Sequence, residues 1–170
     1  MTVRPLLAAD AAAARDVERD AGRLFLDVGM PEIAYDEPPD EGTIAAFATA
    51  GRAWAYDAGG ELAAYLLLDV VDGAAHVEQV SVRRAYAGRR LGRALLGTAT
   101  DWARERGMDR MTLTTFRDVP WNAPYYAALG FRELPEEDYG PELRALVARE
   151  VAHGLWRWPR LAMAKDLGTP

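Results

Sequence analysis

The residues with the clearest chemical content lie between Val80 and Leu96. An alternating segment, Val80-Ser81-Val82, runs into a basic turn, Arg83-Arg84-Ala85-Tyr86-Ala87-Gly88-Arg89-Arg90, and then into Leu91-Gly92-Arg93-Ala94-Leu95-Leu96. That order predicts a strand, a glycine-containing turn and a helix start. The first N–H groups of a helix have no partner inside it and carry partial positive charge, so they draw anions. Gly88 and Gly92 let a phosphate come close to the backbone. Arg89, Arg90 and Arg93 add charge at the same place. The run predicts a phosphate- or pyrophosphate-binding turn.

Two common phosphate-binding patterns do not fit. A P-loop needs Gly-Lys before Ser or Thr, and the chain has no Gly-Lys pair. A dinucleotide fingerprint, G-x-G-x-x-G, follows the first strand of a parallel sheet. Here Gly88 and Gly92 are spaced differently, and the preceding strands predict antiparallel hairpins.

The elements that must position this turn can be read from period and turn residues. Thr2–Leu7 predicts a strand and Asp10–Ala21 a helix. Phe25–Gly42, with Gly29, Pro31, Pro38 and Pro39, predicts an irregular segment, and Thr43–Ala50 another helix. Ala53–Tyr56 and Glu61–Leu68 flank Asp57-Ala58-Gly59-Gly60 and predict a hairpin. A second turn at Val71-Asp72-Gly73 leads to the strand Ala75–Arg83. Its alternation puts His76, Glu78, Val80 and Val82 on one face and Val77, Gln79 and Ser81 on the other. Arg89–Arg106 predicts a long helix with Leu91, Leu95, Ala99 and Trp102 as its apolar stripe, closed by Gly107. Met111–Phe116 is a strand, Asn122–Leu129 a short helix stopped by Gly130, Phe131–Leu134 a strand, Tyr139–Val151 a helix and Arg160–Asp166 the last strand. The whole is an α/β (α+β) layer in one domain spanning residues 1–170.

In this setting the turn resembles the coenzyme A pyrophosphate loop of the GNAT N-acetyltransferase family, whose pattern is Q/R-x-x-G-x-G/A. Gly92 matches its last position, while Ala87 and Arg90 stand where the family has Gln or Arg and Gly. A second segment, Asn122-Ala123-Pro124-Tyr125-Tyr126-Ala127-Ala128-Leu129-Gly130-Phe131, is similar to the family's late N…Y-x-x-L-G-F stretch. The matches cover about Ala75–Leu134. The resemblance implies a mixed central sheet, antiparallel in its N-terminal part and splayed between the fourth and fifth strands, with helices on both faces. It also implies acetyl transfer from acetyl-CoA to a primary amine by direct attack in a ternary complex.

That reaction needs a base for the amine, donors for the carbonyl oxygen and an acid for the thiolate. The resemblance implies that Tyr126 protonates the thiolate, a fair match since a phenol and a thiolate have comparable basicity. It points to a carboxylate on the strand before the loop, Glu78, as base, directly or through water. His76 shares that face, and the alternative is left open here. Val80, Ser81 and Val82 would bond the pantetheine arm and polarise the carbonyl through their main chain. Gly88, Arg89, Arg90, Leu91, Gly92 and Arg93 would hold the pyrophosphate. Asn122 suits either a helix cap or a bond to the coenzyme, and the cap is the slightly preferred reading.

Composition narrows the classes. The chain has 170 residues, no cysteine and two histidines, His76 and His153. That excludes disulfide scaffolds, Cys-based zinc sites and thiol nucleophiles, and it argues against any metal. The formal charge of −6 argues against nucleic acid. No secretory leader and no bilayer-length apolar run is visible, which predicts a cytoplasmic protein, monomer or homodimer, with no membrane partner. Phe25–Gly51 carries Asp27, Glu32, Asp36, Glu37, Asp40 and Glu41 without Lys or Arg. Such an acidic rim, walled by Phe25, Met30, Tyr35 and Phe47, would draw a small cationic amine. The rival class is a coenzyme A-binding module with little catalysis.

Overall fold

In the computed structural model, which describes Thr2–Gly168, seven strands and six helices follow the predicted order with one short helix, Pro31–Ala34, more than expected. The strands are β1 (Thr2–Pro5), β2 (Ala53–Ala58), β3 (Glu61–Val71), β4 (Ala74–Val82), β5 (Arg110–Phe116), β6 (Arg132–Leu134) and β7 (Arg160–Asp166). The helices are α1 (Ala11–Gly22), α2 (Pro31–Ala34), α3 (Glu41–Thr49), α4 (Leu91–Glu105), α5 (Ala123–Ala128) and α6 (Pro141–Ala152). The hydrogen-bonded strand order is β1-β2-β3-β4-β5-β7-β6, a mixed sheet. The residues fall into two compact units, one holding the chain up to Asp69 with Glu78–Ala99, the other Val70–Val77 with Thr100 onward.

In the first unit, β1 runs antiparallel to β2 from Thr2↔Asp57 to Pro5↔Trp54. Strands β2 and β3 close a hairpin at Gly59-Gly60, whose φ values of +62° and +84° meet the demand of a two-residue turn for two left-handed residues. Ala53 and Ala55 of β2 face Leu67 and Tyr65 of β3 across the ladder. This face packs against Ala11, Ala14 and Val17 of α1 and Ile44 of α3, with Leu6 and Leu62 completing the core. Small residues on β2 let the helices lie close to the strands. Helix α3 starts where Asp40 accepts a hydrogen bond from the Thr43 N–H at 2.7 Å.

The segment Phe25–Gly42 departs from the expected irregular chain. It contains part of a 3₁₀ stretch, Arg23–Val28, and all of α2. Pro31 opens α2 at a first-turn position, where its missing N–H is no loss. The same use recurs at Pro124 in α5 and Pro141 in α6.

In the second unit, β5 pairs antiparallel with β7 along its whole length, from Arg110↔Asp166 to Phe116↔Arg160. β6 pairs with β7 from Arg132↔Ala164 to Leu134↔Ala162. The parallel ladder of β4 with β5 is confined to Ala75↔Met111 and His76↔Thr112. His76 is 2% exposed, and its Nδ1 lies 2.9 Å from the Thr112 hydroxyl. Helix α6 lays Leu143 and Leu146 on Val71, Leu134 and Ala162. Among the described residues no helix is long and apolar enough to cross a membrane.

Candidate active site

In the first unit the basic turn divides its arginines by task. The Arg83 N–H donates to Ala63 O at 2.8 Å and its Nε to Leu62 O at 2.9 Å. Arg84 gives its N–H and Nε to the Asp20 carboxylate at 2.8 and 3.1 Å. These two fasten the turn to β3 and α1. Tyr86 donates its hydroxyl to Glu61 at 2.9 Å and supports Arg89, whose guanidinium lies 5.2 Å above its ring. Arg89, Arg90 and Arg93 are exposed, and among the described residues none of them makes an ion pair.

The backbone of this turn suits an anion. Gly88 has φ +75° with open space where a Cβ would be. Arg90 has φ +64°, one of two positive-φ non-glycine residues among the described residues, and its carbonyl accepts the Ala94 N–H at 3.1 Å. Arg90 stands where the resembled pattern has glycine, and its backbone takes the left-handed conformation that glycine adopts freely. Helix α4 follows with 15 residues, so its first N–H groups carry a full helix dipole.

On β4, Glu78 is exposed, Val80 and Val82 are half-buried and Ser81 is 5% exposed. The Ser81 hydroxyl accepts from Gln79 Nε2 at 2.8 Å.

A carboxylate missed in the sequence lies on α1. Glu18 is four residues from Ala14 and seven from Ala11, on their buried stripe. Tyr65, 0% exposed on β3, donates its hydroxyl to Glu18 Oε2. Burial pushes the Glu18 carboxyl up to about 7, helped by the charges of Asp36 and Glu78 and opposed by the Tyr65 bond and Arg15. The one available sign was a glutamate at helical spacing from two alanines, easily taken for a solvated face.

The acidic segment is partly spent on structure. Glu37 binds Arg19 at 2.9 Å and Arg15 at 3.3 Å, and Asp40 caps α3. Met30 is core at 5% exposure and so forms no part of the expected wall, while the half-buried Phe47 packs against the core of α1 and α3. Tyr35 is 58% exposed, with the Arg23 guanidinium 4.3 Å from its ring. Asp27, Glu32, Asp36 and Glu41 remain exposed.

In the second unit, Tyr126 is buried on α5, edge-on to Tyr125 at 5.3 Å and to Phe131 at 5.8 Å. Gly130, at φ +93°, turns the chain so that Phe131 returns onto that ring. Burial pushes the Tyr126 hydroxyl above its ordinary value, with the neighbouring Tyr125 adding to it. Among the described residues the hydroxyl has no hydrogen-bond partner.

Asn122 precedes α5 but its side chain makes no capping bond, which corrects the preferred cap reading. Pro124 occupies the second helical position and offers no N–H to a cap. Asn122 Nδ2 donates to Trp121 O at 3.3 Å, and Oδ1 is buried without a partner. An orphaned buried acceptor is rare and fits a ligand donor such as the amide of a pantetheine arm. A concavity of about 530 Å³ elsewhere in this unit, lined by Asp72, Asp109, Arg110 and Asp166 among others, holds none of the expected site residues.

The Acetyltransferase (GNAT) family model matches residues 13–131. The fold is similar to that of the ribosomal-protein-S18-alanine N-acetyltransferase from Escherichia coli. The identity is 23% and the TM-score 0.67, over 99% of this chain and 95% of that one. It is similar to the PaiA N-acetyltransferase from Thermoplasma acidophilum in complex with coenzyme A, at 14% identity and TM-score 0.67, over 96% and 97%. It is also similar to N-acetylglutamate synthase from Neisseria gonorrhoeae complexed with coenzyme A and N-acetyl-glutamate. There the identity is 16% and the TM-score 0.73, over 98% of this chain and 35% of that one. The structures give the fold; the family match, which spans both the basic turn and the Tyr126 segment, gives the class, and this chain is a member of the GNAT acetyltransferase family.

Proposed function

We propose that the chain works as one acetyl-CoA-dependent N-acetyltransferase domain acting on a primary amine of a small cationic acceptor, by direct attack in a ternary complex. The observation that carries the reading is Tyr126, a buried phenol with an uncommitted hydroxyl in the family's late segment. A phenol used only for packing would serve as well as phenylalanine, so an uncommitted hydroxyl in this segment supports a part in the chemistry.

Acetyl-CoA, when bound, supplies the thioester carbonyl that the amine attacks. Arg89, Arg90 and Arg93, with the first N–H groups of α4, hold the pyrophosphate. The main chain of Val80, Ser81 and Val82 bonds the pantetheine arm and polarises the carbonyl. Asn122 Oδ1 accepts from the same arm. Glu78 receives the amine's proton, directly or through water. Tyr126, kept protonated by burial, gives its proton to the sulfur. Desolvation that raises a phenol raises a thiolate in like manner, so the transfer stays feasible.

The acceptor reading is supported by Asp27, Glu32, Asp36 and Glu41, which remain exposed in a segment free of Lys and Arg. An acceptor drawn to acids is itself cationic. A cytoplasmic location and a monomer or homodimer go with a small metabolite as substrate.

The experiment is thiol release from acetyl-CoA by wild type and Tyr126→Phe, with coenzyme A affinity measured beside it. Turnover falls at least tenfold while affinity and melting temperature hold. Equal turnover would take Tyr126 out of the reaction.

A further inference from the structure

The last turn of α1 holds an acid that its own helix does not favour. A helix C-terminus carries partial negative charge and prefers cations, yet Asp20 stands two residues before the end of α1. Among the described residues its carboxylate bonds to Arg84 alone. Oδ2 accepts the Arg84 N–H at 2.8 Å, while Oδ1 accepts Nε at 3.1 Å and lies 3.0 Å from Nη2. Arg84 opens a 3₁₀ turn, Arg84–Tyr86, and the residue before it is Arg83. Such a turn leaves its first N–H groups without partners, and an arginine side chain has no acceptor to offer them. Asp20, 64 residues earlier in the chain, supplies the acceptor that Arg83 cannot.

A position fixed at Arg84 is passed forward along the chain. The Ala87 N–H donates to Arg84 O at 3.1 Å and the Arg89 N–H to Tyr86 O at 3.3 Å. Gly88 and Arg90, both at positive φ, lead from there into the first N–H groups of α4. Arg83 and Tyr86 tie the same turn to β3, through Leu62 O, Ala63 O and Glu61. A turn held to one strand alone is free to pivot about it, and the bond to α1 is the second attachment that sets its direction. The ion pair is the lesser part of this contact, because the Arg84 side chain is exposed and exposed pairs contribute little. The main-chain bond is the part that acts on the backbone.

We propose that Asp20 is a positioning residue for the pyrophosphate of coenzyme A: by accepting the Arg84 N–H it fixes where the stretch from Gly88 to Arg93 presents its N–H groups and guanidinium groups. The assignment rests on the reading of this turn as the coenzyme site. Asp20 acts through Arg84 and does not touch the ligand.

The test titrates coenzyme A calorimetrically into wild type, Asp20→Ala and Asp20→Asn. Asp20→Ala weakens binding about tenfold, with the circular dichroism spectrum unchanged. Asp20→Asn keeps an oxygen that accepts the Arg84 N–H and stays within about threefold of wild type. In thiol release with spermidine, Asp20→Ala raises KM for acetyl-CoA by the factor seen in binding and leaves kcat alone. S-acetylpantetheine, which has no pyrophosphate, is used by Asp20→Ala with the wild-type kcat/KM. A general loosening of the fold would lower both.

Unaltered coenzyme A affinity in Asp20→Ala overturns the assignment. A parallel loss with S-acetylpantetheine does so too, as does an asparagine variant as weak as the alanine one. If Asp20→Ala does not fold, Asp20→Ser, polar but too short to reach the Arg84 N–H, takes its place under the same criteria. A wild type that binds coenzyme A but releases thiol with no amine removes the acetyltransferase reading, and calorimetry alone then decides on Asp20. A wild type that binds no coenzyme A removes the coenzyme site itself, and this assignment falls with it.

Discussion

Burial raises two side chains above their ordinary values, the Glu18 carboxyl and the Tyr126 hydroxyl. The first has a consequence for stability. The Glu18 carboxyl is raised from an ordinary value of 4.5 to about 7 in the folded protein. Between those values the folded chain binds the proton more tightly than the unfolded one, so stability falls as pH rises through that window. Above 7 the full penalty is present, and a shift of this size is worth about 1–3 kcal/mol once its coupling to Asp36 and Glu78 is allowed for. Glu18→Gln removes the slope. Urea denaturation finds the variant more stable than wild type at pH 8 and close to it at pH 5. A variant less stable at pH 8 would show that the charge supports the fold. The helical spacing of Ala11, Ala14 and Glu18 was legible in the sequence; that Tyr65 meets Glu18 across α1 and β3, far apart in the chain, was not. Asn122 shows the reverse case: Pro124 stood two residues on, and its missing N–H already spoke against the cap.

At the scale of elements, the turn between β3 and β4 both reverses the chain and starts a helix. Asp72 and Gly73 take φ +51° and +73°, as a two-residue turn requires. The Asp72 carboxylate accepts the Glu142 N–H at 3.0 Å and the Leu143 N–H at 2.9 Å, while the Glu142 carboxylate accepts the Asp72 N–H. This is a reciprocal cap on α6 supplied from another segment. A Cβ on Gly140 would lie 2.3 Å from the Asp72 Cγ, so the cap also dictates the glycine. Asp72→Ala lowers stability by about 1–2 kcal/mol, read from urea midpoints. Gly140→Ala, which expels the carboxylate, costs at least as much. The double variant is no worse than Gly140→Ala alone, because both act on one contact. A neutral Gly140→Ala would contradict this account of the helix start. Both hairpins were legible because Gly59-Gly60 and Asp72-Gly73 declare their turns. The cap was not, since its two halves lie 70 residues apart in the chain. Segment Phe25–Gly42 misled because its prolines read as breakers, whereas Pro31 begins a helix.

For the whole molecule, family membership sets the reaction class and leaves the acceptor to the chain's own side chains. The match over residues 13–131 includes the basic turn and the Tyr126 segment, the two places that carried the resemblance to this family. What the sequence left open was which charges are available. Arg83 and Arg84 are committed to structure, as are Glu37 and Asp40, while Arg89, Arg90 and Arg93 on the basic turn and Asp27, Glu32 and Glu41 on the acidic segment stand exposed. The net charge of −6 favours a cationic acceptor in the same direction. The most direct measurement is thiol release from acetyl-CoA with matched cationic and acidic amines, spermidine and kanamycin against glutamate, at low and high salt. Release with a cationic amine, at a KM that rises with salt, is the predicted result. Release with glutamate alone, or with none of the three from a protein that binds acetyl-CoA, would contradict the proposed reaction.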